Sequence, residues 1–148
     1  MLELTPYTGH ATPGMKVDGQ ITLDFDQRNR SRLRACLDDK TEVGIFQTRG
    51  HCLRDGELLE SASGEIIRVC AAKEPVSAVY AKNHWMMSRL CYHLGNRHVS
   101  LEIGDGRVAY KPDHVLDDMV RGFGVEPVPE AAAFEPESGA YGHHHAHD

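Results

Sequence analysis

Between Val76 and Val128 the spacing of apolar residues alternates between every second position and every third or fourth, and few folds accept the resulting order. Val76 to Ala81 alternates like a strand. Asn83 is a good helix N-cap, and Met86, Leu90 and Leu94 follow at intervals of four, with Trp85 and Met87 widening the apolar stripe. Gly95 stands where a left-handed cap would end that helix. His98 to Ile103 alternates again through Val99, Leu101 and Ile103, and Asp105-Gly106 predicts a type I′ hairpin turn into a strand holding Val108 and Tyr110. Pro112 and Asp113 open a second helix with Val115, Leu116, Met119, Val120 and Phe123 on its apolar face. Gly122 and Gly124 end it, and Val125 to Val128 is left as an edge strand. Strand, helix, strand, strand, helix, strand is the ferredoxin-like βαββαβ arrangement, and it predicts one such domain over residues 75–130.

Residues 1–74 have a different texture. Pro6, Pro13 and several glycines predict loop with at most one short strand up to about residue 20. Ile21, Leu23 and Phe25 then alternate as a strand, and Glu42–Phe46 and Ile66–Val69 read as two more, with turns at Asp38-Asp39, Arg54-Asp55-Gly56 and Ser63-Gly64. Short strands and frequent turns predict a small all-β domain, so the whole is of the α+β class. Between Arg28 and Arg34 arginine recurs at every second residue. On a strand this sets four guanidinium groups on one face, either a solvated sheet surface or a docking surface for an acidic partner.

Beyond residue 130 the periodicity stops, and residues 131–148 are expected to form a disordered, His-rich tail. A formal charge of −6 argues against a general nucleic-acid binder. The N-terminus lacks the pattern of a signal peptide and no apolar run matches a membrane span, which leads us to expect a cytoplasmic protein. The four scattered cysteines form no CxxC pair and are expected to stay reduced.

Histidine is the unusual component: there are ten, and His143, His144, His145 and His147 crowd the last six residues. Neutral imidazole suits nickel, copper, zinc and cobalt, and a flexible chain can wrap two or three such ligands around one ion. A defined site needs a held ligand as well, and His98, between a helix end and a strand, is the candidate. One imidazole binds weakly, but two-fold pairing of the domain would bring two copies of His98 together. His114, in the first turn of the second helix, is a further candidate, whereas His93 reads as structural. His10, His51 and His84 have no supporting context. No HExxH, phosphate loop or GxSxG appears, so the chain reads as a carrier and not an enzyme. Two rivals stand beside this reading: a metal store, and a metal-dependent hydrolase built around His98 with Asp113 or Asp117.

Three stretches carry a resemblance. Tyr92-His93-Leu94-Gly95-Asn96-Arg97-His98-Val99, then Asp113-His114-Val115-Leu116-Asp117-Asp118-Met119, then Phe134-Glu135-Pro136-Glu137-Ser138-Gly139-Ala140-Tyr141-Gly142 with the His tail, occur in an order that resembles the UreE urease accessory proteins. The resemblance implies a cytoplasmic nickel metallochaperone, homodimeric through its C-terminal domain, with Ni2+ as cargo and Zn2+ or Cu2+ as possible substitutes. It implies nickel ligation by His98 at the dimer interface, with further ligands from His143, His144, His145 and His147. It also implies a peptide- or partner-binding N-terminal domain, and delivery to the accessory GTPase UreG and the urease activation complex. Some members carry a second histidine where this chain has Pro112, so His114 lacks that neighbour here.

Overall fold

A computed structural model describes residues 1–139, which fold as two compact units divided between Ala72 and Lys73. In the first unit, β1 (Leu2–Pro6), β2 (Gly19–Leu23), β3 (Arg32–Cys36), β4 (Glu42–Phe46), β5 (Leu58–Ser61) and β6 (Ile66–Ala71) form one sheet in the order β2-β6-β5-β1-β4-β3. β1 runs parallel to β4 and β2 parallel to β6; the other pairs are antiparallel. Inward residues of alternating strands, among them Leu4, Ile21, Val43, Ile45, Leu59, Ile67 and Val69, make one continuous core.

The arginine repeat is not a four-membered face. Phe25–Arg28 form a single helical turn, α1, opened by a capping box in which Asp24 accepts from the Gln27 amide and Gln27 accepts from the Asp24 amide. The strand expected to run through Phe25 therefore stops at Leu23. Arg28 turns inward and is fully buried; its guanidinium donates to the carbonyls of Leu23 at 3.2 Å and Leu53 at 3.1 Å. Only Arg32 and Arg34 share the exposed side of β3. A buried arginine bonded to two backbone carbonyls is a structural clamp: it joins Leu53 to Leu23, whose carbonyl also accepts from the Ala72 amide at 2.8 Å.

The second unit has the expected order: β7 (Lys73–Tyr80), α2 (His84–Gly95), β8 (Glu102–Ile103), β9 (Arg107–Tyr110), α3 (His114–Gly122) and β10 (Val128–Ala133). Its antiparallel sheet is ordered β10-β7-β9-β8, the ferredoxin-like topology. Asn83 caps α2 by accepting from the Met86 amide, and Asp113 caps α3 by accepting from Val115 and Leu116. Leu90 and Leu94 of α2 and Leu116 and Val120 of α3 meet Val79, Leu101, Val108 and Tyr110 in one core. Buried Tyr110 donates to Asp117 at 2.6 Å, and its hydroxyl is pushed far above its ordinary value, by burial first and by Asp117 second.

Three local expectations change. At the hairpin, Gly106 has φ +72° but Asp105 is not left-handed, so the turn is not type I′. β8 is only two residues long, and His98 to Leu101 lie outside it. The last strand begins at Val128 and runs through Ala133, into the stretch expected to be tail, because Ala131, Ala132 and Ala133 pair in register with Pro75, Glu74 and Lys73. Proline is tolerated at Pro75 because β9 pairs with β7 only from Ser77 onward, leaving no second neighbour to serve there. The tail proper, residues 140–148, lies outside the described residues.

The Arg28 clamp is testable. Arg28→Ala removes the guanidinium donor from the buried Leu53 carbonyl, and at about 1–3 kcal/mol for an unsatisfied group the first unit is expected to lose roughly 1–3 kcal/mol. Urea denaturation followed by a probe in that unit checks this; an unchanged midpoint would contradict it.

Candidate metal centre

His98 owes its position to how α2 stops. The Asn96 amide still donates back four residues to Tyr92, but the Arg97 amide reaches only to Leu94 at 3.1 Å and that of His98 only to Gly95 at 3.0 Å. The helix tightens through its last turn and then breaks, because His98 is left-handed with φ +57°. The cap expected at Gly95 is thus displaced by three residues: Gly95 remains helical and His98 performs the reversal. Histidine is tolerated in this region better than most residues but still costs conformational energy that glycine would not. The side chain is exposed. The backbone of this exposed residue is thus fixed just beyond the helix end.

The outer face of α2 leads to this point. Trp85, which the pattern assigned to the buried stripe, is 66% exposed, and Tyr92, seven residues on, is 69% exposed. Arg89 lies between them in sequence, with its guanidinium carbon 4.7 Å from the Trp85 ring centre and 4.8 Å from that of Phe123. His93 packs on Phe123 at 4.9 Å between ring centres, with Tyr92 edge-on at 5.1 Å. The structural reading of His93 thus gains a packing reason. Residues 85, 89 and 92 fall on one helical face, so the helix presents an aromatic and cationic stripe outward while Leu90 and Leu94 point inward.

His114 is the first residue of α3 and exposed. Asp113 is occupied in capping that helix and Asp117 in accepting from Tyr110, so neither is a free base for hydrolysis. The Cys91 thiol is pushed above its ordinary value by burial first and by the charge of Glu137 second, which disfavours the thiolate a metal would need. His51 bonds to Glu57 at 2.7 Å. All four cysteines are free. Among the described residues no three His, Cys, Asp or Glu side chains are gathered to hold a metal. His143, His144, His145 and His147 lie outside the described residues.

Two features escaped the sequence reading. One is a polar network over all four strands of the second sheet: Arg107 of β9 donates to Glu102 of β8 at 3.3 Å and to Glu130 of β10 at 3.1 Å, while Tyr80 of β7 also donates to Glu130. Those bonds, Tyr80 first and Arg107 second, hold the Glu130 carboxyl below its ordinary value. The other is the segment after β10, where Phe134 and Pro136 are buried and Glu135 and Glu137 bond to β8 and its approach. Its alternation was visible in Phe134-Glu135-Pro136-Glu137.

A β-sheet unit followed by a ferredoxin-like unit, with an exposed histidine at a helix end, defines a two-unit α+β protein. Comparison with known proteins makes this specific. The UreE urease accessory protein N-terminal domain matches residues 4–72, and the UreE urease accessory protein C-terminal domain matches residues 74–148. A urease accessory protein UreE of Alkalilimnicola ehrlichii is 52% identical over 142 residues, covering 96% of this chain and 85% of its own length. Those of Pseudomonas putida and Teredinibacter turnerae are 53% and 48% identical, each covering 87% of this chain and 78% and 84% of their own lengths. The chain belongs to the UreE family of urease accessory proteins, which are accessory chaperones. No described helix is long and apolar enough to cross a membrane.

The left-handed turn yields an expectation independent of metal. His98→Gly should stabilise the metal-free protein by about 1 kcal/mol, and His98→Val should destabilise it by at least as much, because a β-branched residue is a genuine outlier at positive φ. Thermal unfolding in the presence of chelator reads both; the opposite order would contradict the geometry.

Proposed function

We propose that the protein is a cytoplasmic nickel metallochaperone that works as a homodimer, binding Ni2+ through paired copies of His98 together with His143, His144, His145 and His147, and passing it on for urease active-site assembly. The observation that carries this reading is the exposed, left-handed His98 at the end of α2. It supplies one exposed imidazole on a fixed backbone where one chain's described residues offer no complete shell, so symmetry is the economical way to double it. The outward stripe of Trp85, Arg89 and Tyr92 on the same helix supports pairing there, since aromatic residues and arginine are the side chains enriched at buried interfaces. Family membership supports both the cargo and its destination, with the accessory GTPase UreG as the receiver. Zn2+ and Cu2+ would compete, copper most strongly, because imidazole ligands alone favour it. His114 would at most join as an auxiliary ligand.

Ligand exchange is the mechanism. A site of neutral imidazoles, part fixed and part on a flexible chain, can hand over an ion by replacing one ligand at a time. Protons compete for the same nitrogens, so affinity falls as pH drops below the ordinary imidazole range near 6.5.

Nickel titration calorimetry on intact protein, protein truncated after Gly142, and His98→Ala tests this. Removing groups that merely orient a metal ligand costs roughly 10–100-fold in affinity, so losing His98 from both copies is expected to cost roughly 100-fold or more at a tight site present once per dimer. Truncation should remove mainly weaker sites, and both classes should weaken between pH 8 and pH 5.5. If His98→Ala leaves binding intact and truncation abolishes it, the tail is the whole metal function and a storage role replaces delivery.

A further inference from the structure

β3 ends the first sheet on one side, and strand register says which of its backbone groups face outward. The Gln47 amide donates to the Ser31 carbonyl at 2.9 Å and the Leu37 amide to the Thr41 carbonyl at 2.8 Å. Both pairs continue the ladder in which Arg32 faces Phe46 and Arg34 faces Gly44. Odd-numbered residues of β3 therefore bond toward β4, and Arg32, Arg34 and Cys36 direct their N–H and C=O groups away from it. Asp38, next in that series, does bond outward, its amide donating to the Gln20 carbonyl of β2 at 2.9 Å. Beyond that point the Thr22 amide is taken by the Asp38 carboxylate at 3.1 Å. Among the described residues nothing pairs with the backbone edge at Arg32 and Arg34.

The side chains on this edge are as uncommitted as its backbone. Arg32 and Arg34 share the exposed side of β3, and exposed Arg30 comes just before it. The chain carries 22 acidic against 16 basic residues, and in the second unit the acids find arginines: Glu102 and Glu130 bind Arg107, and Asp118 and Glu126 bind Arg121. Among the described residues no carboxylate lies within ion-pair distance of Arg30, Arg32 or Arg34. Arg32 is instead held over the ring of Phe46, its guanidinium carbon 5.6 Å from the ring centre. That ring lies across Gly44, where a Cβ would come to 3.3 Å from it. An arginine edge repels the β3 of a second copy, one of the ways edge strands are kept from pairing with themselves. It attracts an extended segment of opposite charge.

We propose that the outer edge of β3 is a docking site for an extended acidic segment of a partner protein, which adds to the sheet as an antiparallel strand with carboxylates facing Arg32 and Arg34. In antiparallel addition the two residues facing these arginines exchange backbone bonds with them and carry their side chains on the same face. Carboxylates two residues apart thus each stand opposite a guanidinium, a favourable cross-strand pair. Main-chain bonds supply the affinity in this mode, and the side chains supply the selection. A nucleic acid fits less well, since half of the edge groups are carbonyl oxygens that repel phosphate and the chain's formal charge is −6. The site lies within the first unit and does not depend on metal at His98.

The test titrates the full-length protein into a fluorescein-labelled heptapeptide in which glutamate and valine alternate, with fluorescence anisotropy reading binding. The same peptide with lysine for glutamate is the control. Facing charges stabilise a strand pair when opposite and destabilise it when alike, so the glutamate peptide is expected to bind about tenfold more tightly or better. The double variant Arg32→Glu/Arg34→Glu changes only exposed side chains and should reverse that preference, with the thermal unfolding midpoint little changed. Methylating the glutamate amides keeps every charge but removes the donors that face β3, and is expected to cost about tenfold; methylating the valine amides, which face away, should cost little. A glutamate peptide that binds no better than the lysine peptide, or a preference that survives the charge reversal, overturns the docking site. Equal binding of the glutamate-methylated peptide overturns strand addition and leaves a surface that attracts anions only.

Discussion

A helix that runs outward over a sheet must reverse to supply the next strand, and in the second unit the position of His98 depends on how α2 reverses. The reversal is compressed into Asn96, Arg97 and His98, with two successive three-residue hydrogen bonds and one left-handed residue. Leu94 before it and Leu101 after it are both buried in the same core, so the turn is pinned at each end by burial. Glycine would make this turn at lower cost, and the chain places histidine there instead. Local strain persists only where surrounding structure over-determines it, and it is found most often where a side chain's direction matters.

The same economy governs the rest of the unit. The sheet is narrow, its edge strand β8 is two residues long, and its face opposite the helices would otherwise be left open. The segment after β10 covers part of that face with Phe134 and Pro136 and bonds to Leu101 and Glu102 beyond it. Glu102 is also bound by Arg107, which in turn joins Glu130 and the aromatic ring of Tyr80. The polar network thus reaches from Glu135, through Glu102 and Arg107, to Glu130 on β10.

Much of the second unit was legible because its information is local. Helix caps at Asn83 and Asp113, apolar residues at intervals of three and four, and glycine at the hairpin each act within a few positions. Arg28 shows the opposite case. Its period-two neighbours suggested a strand face, but its fate is decided by the carbonyl of Leu53, which no local pattern announces. The Asp24–Gln27 capping box was the local sign that the strand had ended. At the metal site, imidazole chemistry and the position of His98 near a helix end were readable. The left-handed turn at His98, the outward Trp85 and the course of residues 134–137 were not, since each follows from which side of the unit is already filled.

The central claim is that His98 holds the cargo metal jointly with another copy of itself. Anomalous diffraction at the nickel absorption edge, from crystals of the nickel-loaded full-length protein, tests it most directly. The account predicts an anomalous peak within bonding distance of His98 imidazoles from two chains, on or near the axis relating them. A nickel peak bound only by tail histidines, with His98 free in both copies, would contradict it.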